Sequence, residues 1–239
     1  MRKHERPAHE LRPLRLETDF QKGPAGSVLI SCGDTRVCCA AHVEMKVPPW
    51  FSRDRSGGWI TAEYAMLPGA TLTRSSRTRR GREEEISRLI GRSLRAAVQL
   101  EALPPCTITL DCDVLQADAG TRCASITGGF VALVLALESL RKKGQLRQSP
   151  LRHAVCACSC VLLQGEALLD PDYAEDSSAE VDMNFVFTQA LELVEIQGTA
   201  EGSPFSTDRL LTLLELGRRG AEACFAAQGL ALGQLFPQL

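Results

Sequence analysis

The clearest rhythm in this chain lies between Glu83 and Leu100. There Ile86, Leu89, Ile90, Leu94, Ala97 and Val98 recur at three- and four-residue spacing, the stripe of an amphipathic helix. Glu83, Glu84 and Glu85 fall in its first turn, where negative charge suits the helix dipole, and Pro104-Pro105 closes the region. From Thr107 to Leu115 the pattern switches to alternation, a half-buried strand that sets Asp111 and Asp113 on one face. A second helix follows from about Ser125 to Leu140, apolar at Ile126, Val131, Val134, Leu135 and Leu137. It ends in the basic turn Arg141-Lys142-Lys143 before Gly144. Upstream, Leu11 to Phe20 reads as an early strand. Gly26–Ile30 and Arg36–Val43 read as a hairpin around the turn at Cys32 to Thr35, and Trp59–Met66 as a further strand. Between them, Val47 to Gly58 carries prolines and glycines and reads as a loop. Downstream come a strand over His153–Gln164, an acidic irregular stretch over Asp170–Asp182, a strand pair at Asn184–Phe187 and Leu191–Gln197, and a helix over Thr207–Gln228.

Strands and helices thus interleave, and the best fit is one compact α+β domain over residues 11–228. Residues 1–10 and 229–239 are expected to be flexible or peripheral termini. At 239 residues with 44% hydrophobic and 23% charged positions, the chain can bury a substantial core, so disorder is not its general state. The opening MRKHERPAHE has no apolar run behind its basic residues, so a secretory signal is not expected. No stretch of about 18 uncharged apolar residues occurs, so no membrane span is expected either. Both points suggest a cytoplasmic protein without a membrane partner. In such a reducing compartment the ten cysteines are read as neither disulfides nor zinc ligands. Cys156, Cys158 and Cys160 share one strand face and read as small core side chains, with a metal site the lesser alternative. His153 is a candidate base, but it sits in a strand pattern and reads as structural.

The net charge of -2 hides a strongly basic segment. Arg74, Arg77, Arg79, Arg80, Arg82, Arg88, Arg92 and Arg95 are opposed only by Glu83, Glu84 and Glu85. That is either a solvated helix face or a site for a polyanion, and arginine is the better phosphate fork. Gly81-Arg82 precedes one helix and Gly120-Thr121-Arg122 the other. Helix starts present unpaired N–H groups, so the two arginines and the threonine hydroxyl could cradle inorganic phosphate. Surface pairing of both arginines with carboxylates is the plainer alternative. GxxxxGK is absent, which disfavours triphosphate chemistry. Asp170, Asp172, Glu175, Asp176, Glu180 and Asp182 crowd within thirteen residues. Their repulsion would be relieved by Mg²⁺, which takes oxygen ligands, or simply by exposure to water.

Several longer stretches carry a resemblance. GSVLISCGDTRVCCAAHVE, GGWITAEYAMLPGAT, EISRLIGRSLRAAV, TITLDCDVLQADAGTRCASITGG, DPDYAEDSSAEVDMNFVFT and VEIQGTAEGSPFS run in order from about Leu11 to Ser206. Together they resemble the ribonuclease PH family of phosphorolytic exoribonucleases. The resemblance implies a ribosomal protein S5 domain 2-like fold of βαβα type and a homo-hexamer built as a trimer of dimers. It implies attack of inorganic phosphate on the 3′ end of RNA, chiefly tRNA precursors, with Mg²⁺ or Mn²⁺ as cofactor. It implies a phosphate site at Arg82, Gly120, Thr121 and Arg122. Asp176 and Asp182 match the acidic residues of catalysis and metal binding. Arg74 and Arg77 match arginines of an RNA-facing loop that also holds Arg79 and Arg80.

The chain departs from the family pattern at several points. Gly69 stands where the family has the arginine of MLPRAT, which would remove an RNA contact. The run Glu83–Glu85 adds acid beside Arg82. Ala119 replaces a glycine, harmless unless φ is positive, and Pro171 replaces a leucine and would stiffen the acidic loop. Three rival readings stand beside this one: an exosome-ring subunit of the same superfamily, an RNA-binding scaffold without activity, and a metal-dependent hydrolytic nuclease.

Overall fold

The computed structural model describes residues 2, 5–51, 56–77 and 81–237. A first sheet is built from β1 (Leu14–Thr18), β2 (Gly26–Cys32), β3 (Thr35–Glu44), β4 (Trp59–Met66) and β5 (Thr107–Gln116), in the order β1-β2-β3-β5-β4. Among the described residues only β4 and β5 pair in parallel, because α1 (Gly81–Ala96) crosses over between them. After α2 (Thr121–Lys142) comes a second, antiparallel sheet of β6 (Val155–Leu163), β7 (Glu166–Leu169), β8 (Val181–Thr188) and β9 (Leu193–Ala200), ordered β7-β6-β8-β9. A short helix α3 (Tyr173–Asp176) interrupts the chain between β7 and β8, and α4 (Thr207–Leu232) closes the fold.

Helix α2 holds the two sheets together. It packs on β2 and β3 of the first sheet and on β6 of the second, while α1 covers β4 and α4 covers β6 and β7. A helix between two layers must be apolar all round, and α2 buries sixteen of its residues, Phe130 to Val134 among them. Full burial of a side chain such as Phe130 stabilises by about 1.5–3 kcal/mol. Among the described residues α2 is the one helix long and apolar enough to cross a membrane, yet 83% of that window is buried inside the protein.

The elements expected from the sequence are present, and β4 has the expected bounds. The boundaries differ where backbone partners lie far away in sequence. Helix α1 stops at Ala96 rather than Leu100, because the chain peels off to bridge Val98 with Leu151, and Gln99 N–H donates to the Pro150 carbonyl at 2.8 Å. Helix α2 starts four residues earlier than expected, at Thr121, and α4 runs on to Leu232. The stretch expected to be acidic and irregular contains α3, closed by a capping box in which Asp172 accepts from Glu175 N–H and Glu175 accepts from Asp172 N–H. Strand β7 was not anticipated; its four residues are too few for a periodic signal. Arg2, Arg6, Ala8 and Arg12 lie against the β7–α3 segment. Arg2 bonds Glu175 through Nε at 2.7 Å, and Arg6 donates to the Asp170 carbonyl at 2.9 Å.

Cys156 and Cys158 are buried, as expected of core side chains, and they meet Cys224 of α4 rather than Cys160, the three thiols lying within 4.8 Å of one another. Burial pushes the Cys156 thiol up, and bonding among the thiols raises Cys158.

Candidate active site

A cavity of about 240 Å³ opens where the carboxyl end of β5, the starts of α1 and α2, and the β6–α3–β8 segment meet. Its wall includes Arg82, Gly120, Thr121 and Arg122, the four residues of the expected phosphate site, and Asp176 and Asp182, the two acids the resemblance singles out for catalysis and metal. Met66, Thr71, Ala117, Ala119, Ser159, Tyr173 and Asn184 complete it.

The basic wall is shaped by backbone. After β5 the chain turns through Ala119 at φ +59° and Gly120 at φ +66°, two left-handed residues in succession. Thr35 braces the turn: its Oγ1 accepts from Asp118 N–H at 2.9 Å and donates to the Ala119 carbonyl at 2.6 Å. Gly120 is the N-cap of α2 and supplies no side-chain cap, and no acidic residue sits in the first turn of α2. Gly120, Thr121 and Arg122 line the cavity, so the start of that 22-residue helix, the positive end of its dipole, lies at the cavity wall. Thr121 Oγ1 lies 2.8 Å from the buried Tyr64 hydroxyl, which fixes its rotamer. Arg122 Nη1 donates to Gln197 Oε1 at 2.9 Å, a neutral amide rather than a carboxylate. Arg82 is the second residue of α1, with its guanidinium beside Met66.

The acidic wall is sparer than the sequence suggested. Of the six crowded carboxylates, Asp170 is taken by Arg12, while Asp172 and Glu175 are taken by the capping box, with Glu175 held in addition by Arg2. Glu180 is exposed. Only Asp176, last in α3, and Asp182, second in β8, line the cavity. Burial, then the nearby charge of Asp182, pushes Asp176 up to about 6, against the pull of Arg122 and Arg82. Burial likewise raises Asp182, opposed by Arg122 and by bonds from Asn184 and Ser159. Asn184 Nδ2 is 3.4 Å from both Asp182 oxygens, and Ser159 Oγ is 3.5 Å from Oδ1. Two adjacent oxygen-only acids are the donor set a hard divalent cation takes.

Arg74 and Arg77 are exposed in the segment that follows β4 and do not line the cavity; Arg79 and Arg80 lie outside the described residues. Gly69 has open space where a side chain would project. His153 does not line the cavity, and burial holds its ring below the usual histidine range. Thr71, Ser159, Tyr173 and Asn184 were not singled out in the sequence. Asn184 could have been: it shares a strand face with Asp182 by period two, and it pairs across the sheet with Ser159.

Arginine, threonine and helix-start donors that share one cleft with paired carboxylates are an arrangement that can serve phosphoryl transfer. The chain belongs to the 3′ exoribonuclease family: residues 10–137 match the family's domain 1 and residues 153–220 its domain 2. It is 51% identical over 232 residues to ribonuclease PH of Crocosphaera subtropica, covering 96% of each chain. Its fold is also that of a chain in the RNA-bound exosome of Archaeoglobus fulgidus, with a TM-score of 0.79, 19% identity and 91% and 89% of the two chains covered. Rice (Oryza sativa) Rrp46 superposes with a TM-score of 0.78 at 19% identity over 97% and 98%. These two likenesses carry the fold alone, which is the ribonuclease PH-type, S5 domain 2-like arrangement expected. The family and the 51% relative carry the activity: a phosphorolytic 3′→5′ exoribonuclease, with inorganic phosphate as co-substrate and RNA as substrate. The rival readings of a hydrolytic nuclease and of an inactive scaffold are set aside accordingly.

Proposed function

We propose that the cavity is the phosphorolytic centre and that its two walls divide the work. Arg82, Arg122, the Thr121 hydroxyl and the N–H groups following Gly120 hold inorganic phosphate. They offset the repulsion between it and the last phosphodiester of the RNA. A phosphate oxygen attacks that phosphorus, and the bond to the 3′ oxygen of the preceding nucleotide breaks. The terminal nucleotide leaves as a nucleoside diphosphate, and the shortened RNA regains a 3′ hydroxyl. Asp176, poised near neutrality, hands the proton to that oxygen. In their ionised forms Asp176 and Asp182 are the residues that would hold Mg²⁺ or Mn²⁺, which would polarise phosphoryl oxygens; Asp176 serves as proton donor only in its protonated form with no metal on it. Asn184 and Ser159 keep the Asp182 carboxylate oriented.

The observation that carries this reading is the convergence of the Gly120–Arg122 turn and the Asp176/Asp182 pair on one cavity, from the segments that match the family's domain 1 and domain 2. The region 11–228 therefore acts as a single catalytic unit. Arg74, Arg77, Arg79 and Arg80 form the RNA approach, and tRNA precursors in the cytoplasm are the substrate. A homo-hexamer, a trimer of dimers, is the working assembly; exposed Leu193, Ile196, Leu211 and Leu230 supply apolar surface for it. Phosphate saturation kinetics test the site. Arg82→Ala and Arg122→Ala should each raise the phosphate KM by roughly 10- to 100-fold, the worth of a charge-assisted hydrogen bond. Unchanged phosphate kinetics in both variants would remove these arginines from the site.

A further inference from the structure

Arg12 is buried outside the cavity, yet it touches both segments that form it. Its side chain is only 7% exposed. Three of its donors go to Asp170: the backbone N–H to Oδ2 at 2.8 Å, Nε to Oδ2 at 2.9 Å and Nη2 to Oδ1 at 2.7 Å. The fourth, Nη1, reaches the Asp118 carbonyl, with the Asp118 carboxylate at 3.5 Å. Asp170 opens the loop that leads into α3 and Asp176. Asp118 opens the turn that leads through Gly120 into α2. Asp118 Oδ1 also accepts from the N–H of Tyr173, the first residue of α3. A Cβ on Gly120 would come within 3.1 Å of Arg12 Nη2, so the guanidinium lies directly behind the left-handed turn.

We propose that Arg12 is a positioning residue for phosphorolysis, a rigid planar brace that sets the separation between the phosphate-binding turn and the carboxylate loop. The inference rests on the reading of the cavity given above. A guanidinium suits this role and an ammonium does not. Its fixed fork meets both Asp170 oxygens and still has a donor for the Asp118 carbonyl, whereas a lysine is a single point. Neither Asp170 nor Arg12 lines the cavity, so the brace acts through the geometry of the turn and loop.

Two variants test it. Arg12→Lys keeps the charge on Asp170 compensated but gives up the fork. The double variant Arg12→Met with Asp170→Asn removes both buried charges together, which avoids leaving one unpaired. Each is to be assayed at a temperature where circular dichroism shows it folded. The expected result is a fall of about tenfold or more in kcat/KM for phosphate, the scale of a sub-ångström to 1 Å misplacement, with the RNA KM within about twofold of wild type. A folded Arg12→Lys protein with wild-type kcat and phosphate KM, whatever its Tm, would overturn the proposal, and it decides the matter if the double variant does not fold. Line broadening of the ³¹P signal of inorganic phosphate reads the turn without turnover. A wild-type chain that leaves RNA intact would sink the functional reading. Phosphate binding that weakens in Arg12→Lys would still support the brace, and binding equal to wild type would refute it.

Discussion

Replacing Asp176 by asparagine should make the protein more stable and less active at once. In the folded chain burial and the neighbouring Asp182 lift this carboxyl from 3.8 to about 6. A folded pKa above the unfolded one means that the native state holds the proton more tightly. Stability attached to that proton is complete below about pH 4 and is lost as pH rises towards 6. Two pH units correspond to about 3 kcal/mol as a ceiling, and the partial access of water to the cavity reduces this to ~1 kcal/mol at pH 7.5. Asparagine keeps the shape and removes the charge. Asp176→Asn should therefore melt about 2–4 °C higher than wild type at pH 7.5, with the difference shrinking towards zero near pH 4.5. Turnover should fall by at least about 100-fold, the usual contribution of a positioned proton donor. Calorimetry at the two pH values, paired with a steady-state assay, makes the comparison. A lower Tm at pH 7.5, an offset independent of pH, or undiminished turnover would each refute the reasoning.

Three further outcomes follow from the same geometry. Ala119→Gly should raise the urea midpoint by an amount equivalent to about 0.5–1 kcal/mol, because the left-handed turn strains alanine more than glycine costs in chain entropy; a destabilised variant would contradict this. Thr121→Val should cost about 0.5–1.5 kcal/mol in the same measurement by removing one of the two partners of the buried Tyr64 hydroxyl, Arg82 being the other, and should raise the phosphate KM; a neutral result in both would show that the hydroxyl serves neither. The apparent affinity for Mg²⁺, from titrations of activity, should weaken by up to about tenfold per unit below pH 6 as the carboxylate pair takes up a proton, and a flat profile from pH 7 to 5 would take Asp176 out of the metal site.

The sequence made the layers legible because their signals are local. The stripe from Ile86 to Leu94 and the alternation from Thr107 need no distant partner, and β4 follows from its flanking glycines and residue types. The start of α2 was hidden because Gly120 caps the helix without a side chain, so no serine, threonine or aspartate marks the boundary. The acidic stretch misled for a different reason. Six carboxylates in thirteen residues look like one cluster. Arg2 and Arg12, more than 150 positions away, claim two of them, and the capping box turns Asp172 and Glu175 on each other. Glu180 faces solvent, which leaves the pair Asp176 and Asp182, and only the fold sets that pair against Arg82 and Arg122.

The most direct test is the identity of the released nucleotide. Purified chain, a tRNA precursor with a short 3′ extension and Mg²⁺ are incubated with and without inorganic phosphate, and the products are separated. The account predicts nucleoside diphosphates that appear only with phosphate, one for each residue removed from the 3′ end. Nucleoside monophosphates released without phosphate would contradict it, since the donors of Arg82, Thr121 and Arg122 would then face no co-substrate.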